Sequence, residues 1–140
     1  MIAIDTNVLL RYLLDDDVEQ SSKANQLITN RERVLITDAV LVETIWTLRG
    51  KKYQLNKSAL ADVVQALFQE QNICFENGQV VWMALNDYRN AKGVNGKEAD
   101  FADALIVKKA RYISESQGYS FEGVYTFDRA AQKIPGAKAP

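Results

Sequence analysis

The sequence predicts an α/β fold in which helices cover a sheet of four or five parallel strands, and three observations predict it. Short β-rich apolar runs alternate with longer segments whose apolar residues recur at helical spacing. The segments between runs are long enough for crossover helices, so successive strands pair in parallel through right-handed connections. A composition of 47% hydrophobic and 25% charged residues over 140 residues suits a single domain with a real core.

Each element has its own local warrant. "MIAI" is a short strand, and "TNVLLRYLL" is a helix with Val8, Leu9, Tyr12 and Leu13 on one side. "VEQSSKANQLITNRE" is a second helix, placing Val18, Ala24, Leu27 and Ile28 near one face, and "RVLIT" is a buried strand. Thr37 caps "DAVLVETIWTLRG", which Gly50 stops. After "KKYQLNK" a helix runs near Ser58 to Gln69, followed by the strand "NICFEN". Gln79 to Lys92 is helical and ends at the breaker "KGVNG". A longer helix spans about Ala99 to Gln117, closed by Gly118; "GVYTF" is the last strand, and "DRAAQK" a short helix. No repeat, low-complexity segment or linker interrupts residues 1–140, which are expected to form one domain.

Composition also excludes chemistry. The chain has no histidine, which removes Ser/His/Asp triads, Cys/His pairs and histidine-based zinc sites. A single cysteine, Cys74, forms no internal disulfide, reads as a buried strand thiol rather than an exposed nucleophile, and suits a reducing cytoplasm. The start lacks a basic n-region and a small-residue cleavage pattern, so no signal peptide is expected, and no run approaches the roughly 20 apolar residues of a membrane span. A net charge of −1 provides no global basic field, so a nucleic-acid substrate requires local lysines and metal ions.

The remaining candidates are carboxylates. Open α/β sheets bind ligands beyond the carboxyl ends of their strands. Asp5 follows the first strand and Asp128 the last, so the two are expected to be close in space. Glu43 is the lone acid between Ala39 and Leu48, with Ala39, Val40 and Trp46 as helical neighbours, and is expected along an apolar stripe. Asp100 and Asp103 share a helix face that Ile106 and Val107 continue, so these acids are expected beside core. Each acid also has a structural reading: Asp5 and Asp128 as caps, Asp100 as a dipole partner, Glu43 and Asp103 as ion-pair partners of nearby lysines or arginines. Asp15, Asp16 and Asp17 read as a solvated turn and cap. Taken together without histidine, the other acids suit a divalent cation: oxygen ligands select Mg²⁺ or Mn²⁺ over zinc, and the standard use of such a site is phosphodiester hydrolysis.

"IAIDTNVLLRYLLDDD", "LVETIW", "ADFADALIVKKA" and "VYTFDRAA", in that order, resemble the successive acidic motifs of PIN-domain ribonucleases, in particular the VapC-type toxins of prokaryotic toxin–antitoxin modules. The resemblance spans nearly the whole chain. It implies an α/β/α sandwich with a central parallel sheet of about five strands, Mg²⁺- or Mn²⁺-dependent endoribonuclease activity, homodimers and a cognate antitoxin. Asp5 matches the first acid, Glu43 the second and Asp128 the fourth. Asp103 in "DALIV" matches the third, with Asp100 an additional acid one turn earlier, and as the third acid Asp103 is expected to be the deeper of the two. Thr6 and Asn7 match a polar pair that orients the first acid. On this resemblance Asp5 and Asp103 are the principal metal ligands, Asp100 and Asp128 make direct or water-mediated contact, and Glu43 orients or deprotonates the attacking water. "LIVKKA" departs from the family's small-residue string, so Lys108 and Lys109 alter the RNA groove. Arg11, Arg49, Lys51, Lys52 and Lys97 are candidates for phosphate contact.

Three alternatives stand beside this reading. The acids could form a catalytically silent scaffold that binds a protein or RNA partner. A haloacid-dehalogenase-like phosphatase requires a second acid two residues after Asp5, where the chain has Asn7. A receiver-like domain requires a paired acid beside Asp5 and a phosphate-sensing lysine that nothing singles out.

Overall fold

A computed structural model describes residues 1–140, which form two units, Met1–Glu76 and Asn77–Pro140. In the first unit β1 (Ile2–Ala3), β2 (Val34–Ile36) and β3 (Ile73–Phe75) pair in parallel in the order β1-β2-β3, with Ile2 opposite Val34 and Val34 opposite Ile73. The helices α1 (Thr6–Leu14) and α2 (Val18–Thr29) connect β1 to β2, and α3 (Asp38–Arg49) and α4 (Lys57–Phe68) connect β2 to β3. Parallel neighbours need such crossovers, as the alternation of apolar runs required.

Polar caps set where these helices begin. Asp5, Asp17, Thr37 and Asn56 each accept the N–H three residues on, satisfying a donor that the first turn would leave unpaired. α1 ends at Asp15 in the left-handed region (φ 50°), Asp16 pairs with Arg11, and Asp17 starts α2. The three-acid run is therefore a turn and cap, as expected. The core is built from Leu9, Ile28, Val34, Ile36, Leu41 and Leu48, all at most 1% exposed. Burying such a side chain contributes roughly 1.5–3 kcal/mol. The Tyr12 hydroxyl donates to Glu70 Oε1 at 3.0 Å, and burial followed by this carboxylate raises the phenol above its ordinary value. Cys74 is half-buried on β3.

In the second unit α5 (Gly78–Asn90) packs on α6 (Phe101–Ser116). Tyr88 meets Phe101 edge-on, with ring centroids 5.9 Å apart at 84°, an arrangement that the aromatic quadrupole favours. Lys108 pairs with Asp87 at 3.0 Å, and both side chains are largely buried. This lysine is tied to α5 rather than presented to a ligand. The "KGVNG" breaker leads into a tight turn: Val94 and Lys97 exchange backbone hydrogen bonds, and Asn95 and Gly96 have φ of 52° and 78°. β4 (Val124–Tyr125) and β5 (Ala137–Lys138) pair in parallel, with Val124 opposite Ala137.

The α/β class with parallel strands is the one expected, and there are five strands. They are divided between a three-stranded and a two-stranded sheet. β5 follows "KIPG", which has neither alternation nor a β-branched run, and only its register with β4 makes it a strand. "DRAAQK" contributes a 3₁₀ turn at Ala131–Lys133 rather than a helix of its own length.

Candidate active site

In the first unit, three candidate residues come together. Asp5 follows the β1 run in an extended conformation (φ −89°, ψ 178°), and its Oδ1 accepts the Val8 N–H at 2.9 Å. The capping role is therefore real, and it uses one carboxylate oxygen while Oδ2 can act as a ligand. Thr6, the next residue, donates its hydroxyl to Glu43 Oε1 on α3. The bond fixes Glu43 beside the start of α1, although the two residues are 37 positions apart in sequence. Asn7 is exposed and lines, with Asp5, Val8, Arg11 and Gln20, a cavity of about 450 Å³.

Glu43 does not lie along the apolar stripe expected for it. The buried face of α3 is Leu41, Thr44, Ile45 and Leu48, and at 100° per residue Glu43 falls on the other side, in solvent. Trp46, counted above among its apolar neighbours, is 69% exposed on that side. Water therefore solvates Glu43, and no desolvation cost has to be compensated.

In the second unit, Asp100 is the N-cap of α6 and forms a capping box with Asp103, whose Oδ2 accepts the Asp100 N–H at 2.8 Å. The expectation that Asp103 lies deeper is not met. Both acids are half-buried, because each is folded back on the same first turn, and Ile106, expected as core beside Asp103, is 54% exposed. Asp128 is exposed; its Oδ1 accepts the N–H groups of Ala130 and Ala131 at 2.9 and 3.1 Å, and its own N–H donates to the Thr126 hydroxyl at 3.0 Å.

One principle recurs in Asp5, Asp103 and Asp128. Backbone N–H groups hold one oxygen of each carboxylate and so orient the group; in Asp5 and Asp128 the second oxygen is a possible donor to a cation. The donor set is all oxygen and anionic, which fits a hard cation such as Mg²⁺ or Mn²⁺. Within neither unit do three Asp, Glu or Cys side chains gather closely enough to hold an ion by themselves.

The basic candidates differ in their surroundings. The Arg11 guanidinium is engaged by Asp16 Oδ1 at 2.9 Å and Gln20 Oε1 at 2.8 Å. Its hydrogen bond to Asp16 raises Arg11 above its ordinary value and lowers Asp16 below the usual carboxylate range. Arg11 is thus a clamp between α1 and α2, and contact with RNA phosphate would have to displace Asp16. Lys52 lies over the Tyr53 ring, 5.3 Å from its centroid, and Lys97 is exposed at the end of the Val94–Lys97 turn. Arg49 and Lys51 line a second open cavity together with Trp46. The spacing of three between Trp46 and Glu43 is the one read in the sequence as an apolar stripe, and in the structure that side of the helix is exposed.

Comparison with known proteins supplies the family. Among solved structures, the chain is similar to the crystal structure of Mycobacterium tuberculosis VapC20, described as a sarcin–ricin loop cleaving toxin, with 15% identity over 97% of this chain and 96% of that one and a TM-score of 0.41. No curated protein matches the sequence. The family model of the PIN domain matches residues 2–137, nearly the whole chain and both units. The chain belongs to the PIN domain family.

Proposed function

We propose that the protein, as one PIN domain over residues 1–140, is a divalent-metal-dependent endoribonuclease acting in the cytoplasm as the toxin of a type II toxin–antitoxin module. PIN domains are in general nucleases, and the match over residues 2–137 is the observation that carries the reading. The ordered motifs around Asp5, Glu43, Asp103 and Asp128 support it, as does the all-oxygen donor set. No helix is long and apolar enough to cross a membrane.

In this proposal Asp5 and Asp103 hold Mg²⁺ or Mn²⁺, with Asp100 and Asp128 in direct or water-mediated contact. The bound cation supplies positive charge to the scissile phosphate. Glu43, held through Oε1 by Thr6, takes with Oε2 the proton of the attacking water. As the new P–O bond forms, the old one breaks and the leaving ribose oxygen acquires a proton from solvent. RNA is the substrate, and a cognate antitoxin and a second copy of the chain are the proposed protein partners.

A second reading has one observation in its favour. Asp5, Asp103 and Asp128 all satisfy backbone donors, so each has a structural duty that a catalytically silent scaffold, binding a protein or RNA partner, would also need. Overexpression in a bacterial host separates the two. The nuclease reading expects growth arrest that Asp5→Asn abolishes while soluble protein persists. Equal toxicity of both forms contradicts it and favours the scaffold.

A further inference from the structure

The C-terminal end of α3 carries a cluster that the proposed mechanism leaves unused. Trp46 stands three residues beyond Glu43, so the two side chains leave neighbouring turns on one side of the helix, and both are exposed. The indole forms part of an open cavity of about 460 Å³ whose other walls are Thr47, Arg49, Gly50, Lys51 and Gln54. That volume falls in the range of small-molecule sites.

The segment following α3 is held in place. The Gln54 N–H donates to Gly50 O at 2.8 Å with Gln54 in the left-handed region (φ 53°), and the Leu55 N–H donates to Leu48 O at 3.0 Å. These bonds fold the basic segment back over the end of the helix. "RGKKYQ" supplies three cations and no acid in a chain whose net charge is −1. Attraction to the negative end of the helix explains a basic residue such as Arg49 here. It does not explain an exposed indole beside it. An aromatic face flanked by cations is how proteins hold a single strand of nucleic acid: the base stacks on the ring, and the phosphates meet the positive groups.

We infer that Trp46 stacks an unpaired base of the RNA strand, with Arg49 and Lys51 on its flanking phosphates. This subsite rests on the proposed nuclease function and names the form of substrate it takes, an unpaired strand passing along α3 beside Glu43. Stacking recognises any base, so the site selects single-stranded character rather than sequence.

The test measures binding apart from cleavage. In a Trp82→Phe background Trp46 is the sole remaining indole of the two in the chain. This protein is titrated with a 2′-O-methyl oligouridine of ten nucleotides in chelator, so that nothing is cleaved. Indole fluorescence should be quenched on binding. Trp46→Ala should weaken binding about tenfold, in keeping with the loss of one stacked base, while Trp46→Phe retains most of it. Replacing Arg49 and Lys51 together by Gln should reduce the slope of log affinity against log salt by about 1.4, the value for two phosphate contacts on a single strand. Unquenched fluorescence, absence of binding, or equal affinity in Trp46→Ala overturns the inference. So does a dimer that Trp46→Ala converts to monomer without changing affinity, because the indole would then be covered by a second copy. Trp46-dependent binding without any RNA cleavage by the metal-loaded protein would leave the subsite standing and remove the nuclease reading; cleavage with Trp46-independent binding would do the reverse.

Discussion

The Thr6 hydroxyl donates to Glu43 Oε1, joining the first residue of α1 to the middle of α3. Asp5 immediately precedes this hydroxyl, so the bond ties Glu43 to the chain next to Asp5. A carboxylate with one oxygen held has fewer orientations to sample, and its other oxygen is left to take a proton. Glu43→Gln should slow RNA cleavage by about 10²–10⁴-fold, the usual worth of a positioned general base. Thr6→Val keeps the shape but removes the donor and should cost about tenfold, whereas Thr6→Ser should restore the rate. Steady-state cleavage of a fluorogenic RNA checks all three.

The capping box changes what can be expected of Asp100 and Asp103. Each supports the first turn of α6, so Asp100→Ala and Asp103→Ala should each lower stability by about 0.5–2 kcal/mol in urea unfolding. Activity should separate them. Asp103→Asn removes a proposed direct ligand and should abolish both cleavage and Mn²⁺ binding by isothermal titration. Asp100→Asn should retain measurable cleavage at higher metal concentration. If Asp100→Asn is inactive while Asp103→Asn cleaves normally, the third acid is Asp100.

The Arg11–Asp16 pair gives a pH dependence with a definite sign. Arg11 lowers Asp16 in the folded protein, first through their hydrogen bond, from an ordinary value of 3.8. The charged form is thereby favoured by folding, so this support of the α1–α2 turn is complete above that ordinary value. It is lost as pH falls through the lowered one. Arg11→Gln should move the Asp16 titration, followed by carboxyl NMR, back up toward 3.8. An unchanged midpoint would mean that the clamp is not formed in solution.

Much of this arrangement is legible in the sequence because it is local. Thr37 marks a cap and "KGVNG" a helix end through their own chemistry, the capping reading of Asp5 is equally local, and the structure uses each accordingly. Asp100 and Asp103 are legible as a pair from their spacing, but not as a reciprocal cap, which equalises their depth. The side of α3 that carries Glu43 is not legible because "LVETIWTL" is apolar nearly all round, so the pattern cannot say which side meets the core. Val42 and Trp46 are as apolar as Leu41 and Ile45, and only packing distinguishes them. Strand partition and β5 depend on pairing between distant residues, which no local pattern encodes.

A cation bound by the native carboxylates and not by the unfolded chain should raise stability by RT ln(1 + [L]/Kd), about 2.7 kcal/mol at a hundredfold excess over Kd. The melting temperature should therefore climb through a millimolar Mn²⁺ or Mg²⁺ titration, and Asp5→Asn should blunt the rise. A flat titration for the wild-type protein would count against metal binding.

The central claim is that these carboxylates hydrolyse RNA with a divalent cation. Purified protein incubated with total RNA tests it most directly, in chelator, in Mg²⁺ and in Mn²⁺, beside Asp5→Asn prepared identically. The account predicts discrete cleavage products with either metal, none in chelator and none from Asp5→Asn. Intact RNA under every condition, or equal cleavage by wild type and Asp5→Asn, would contradict it.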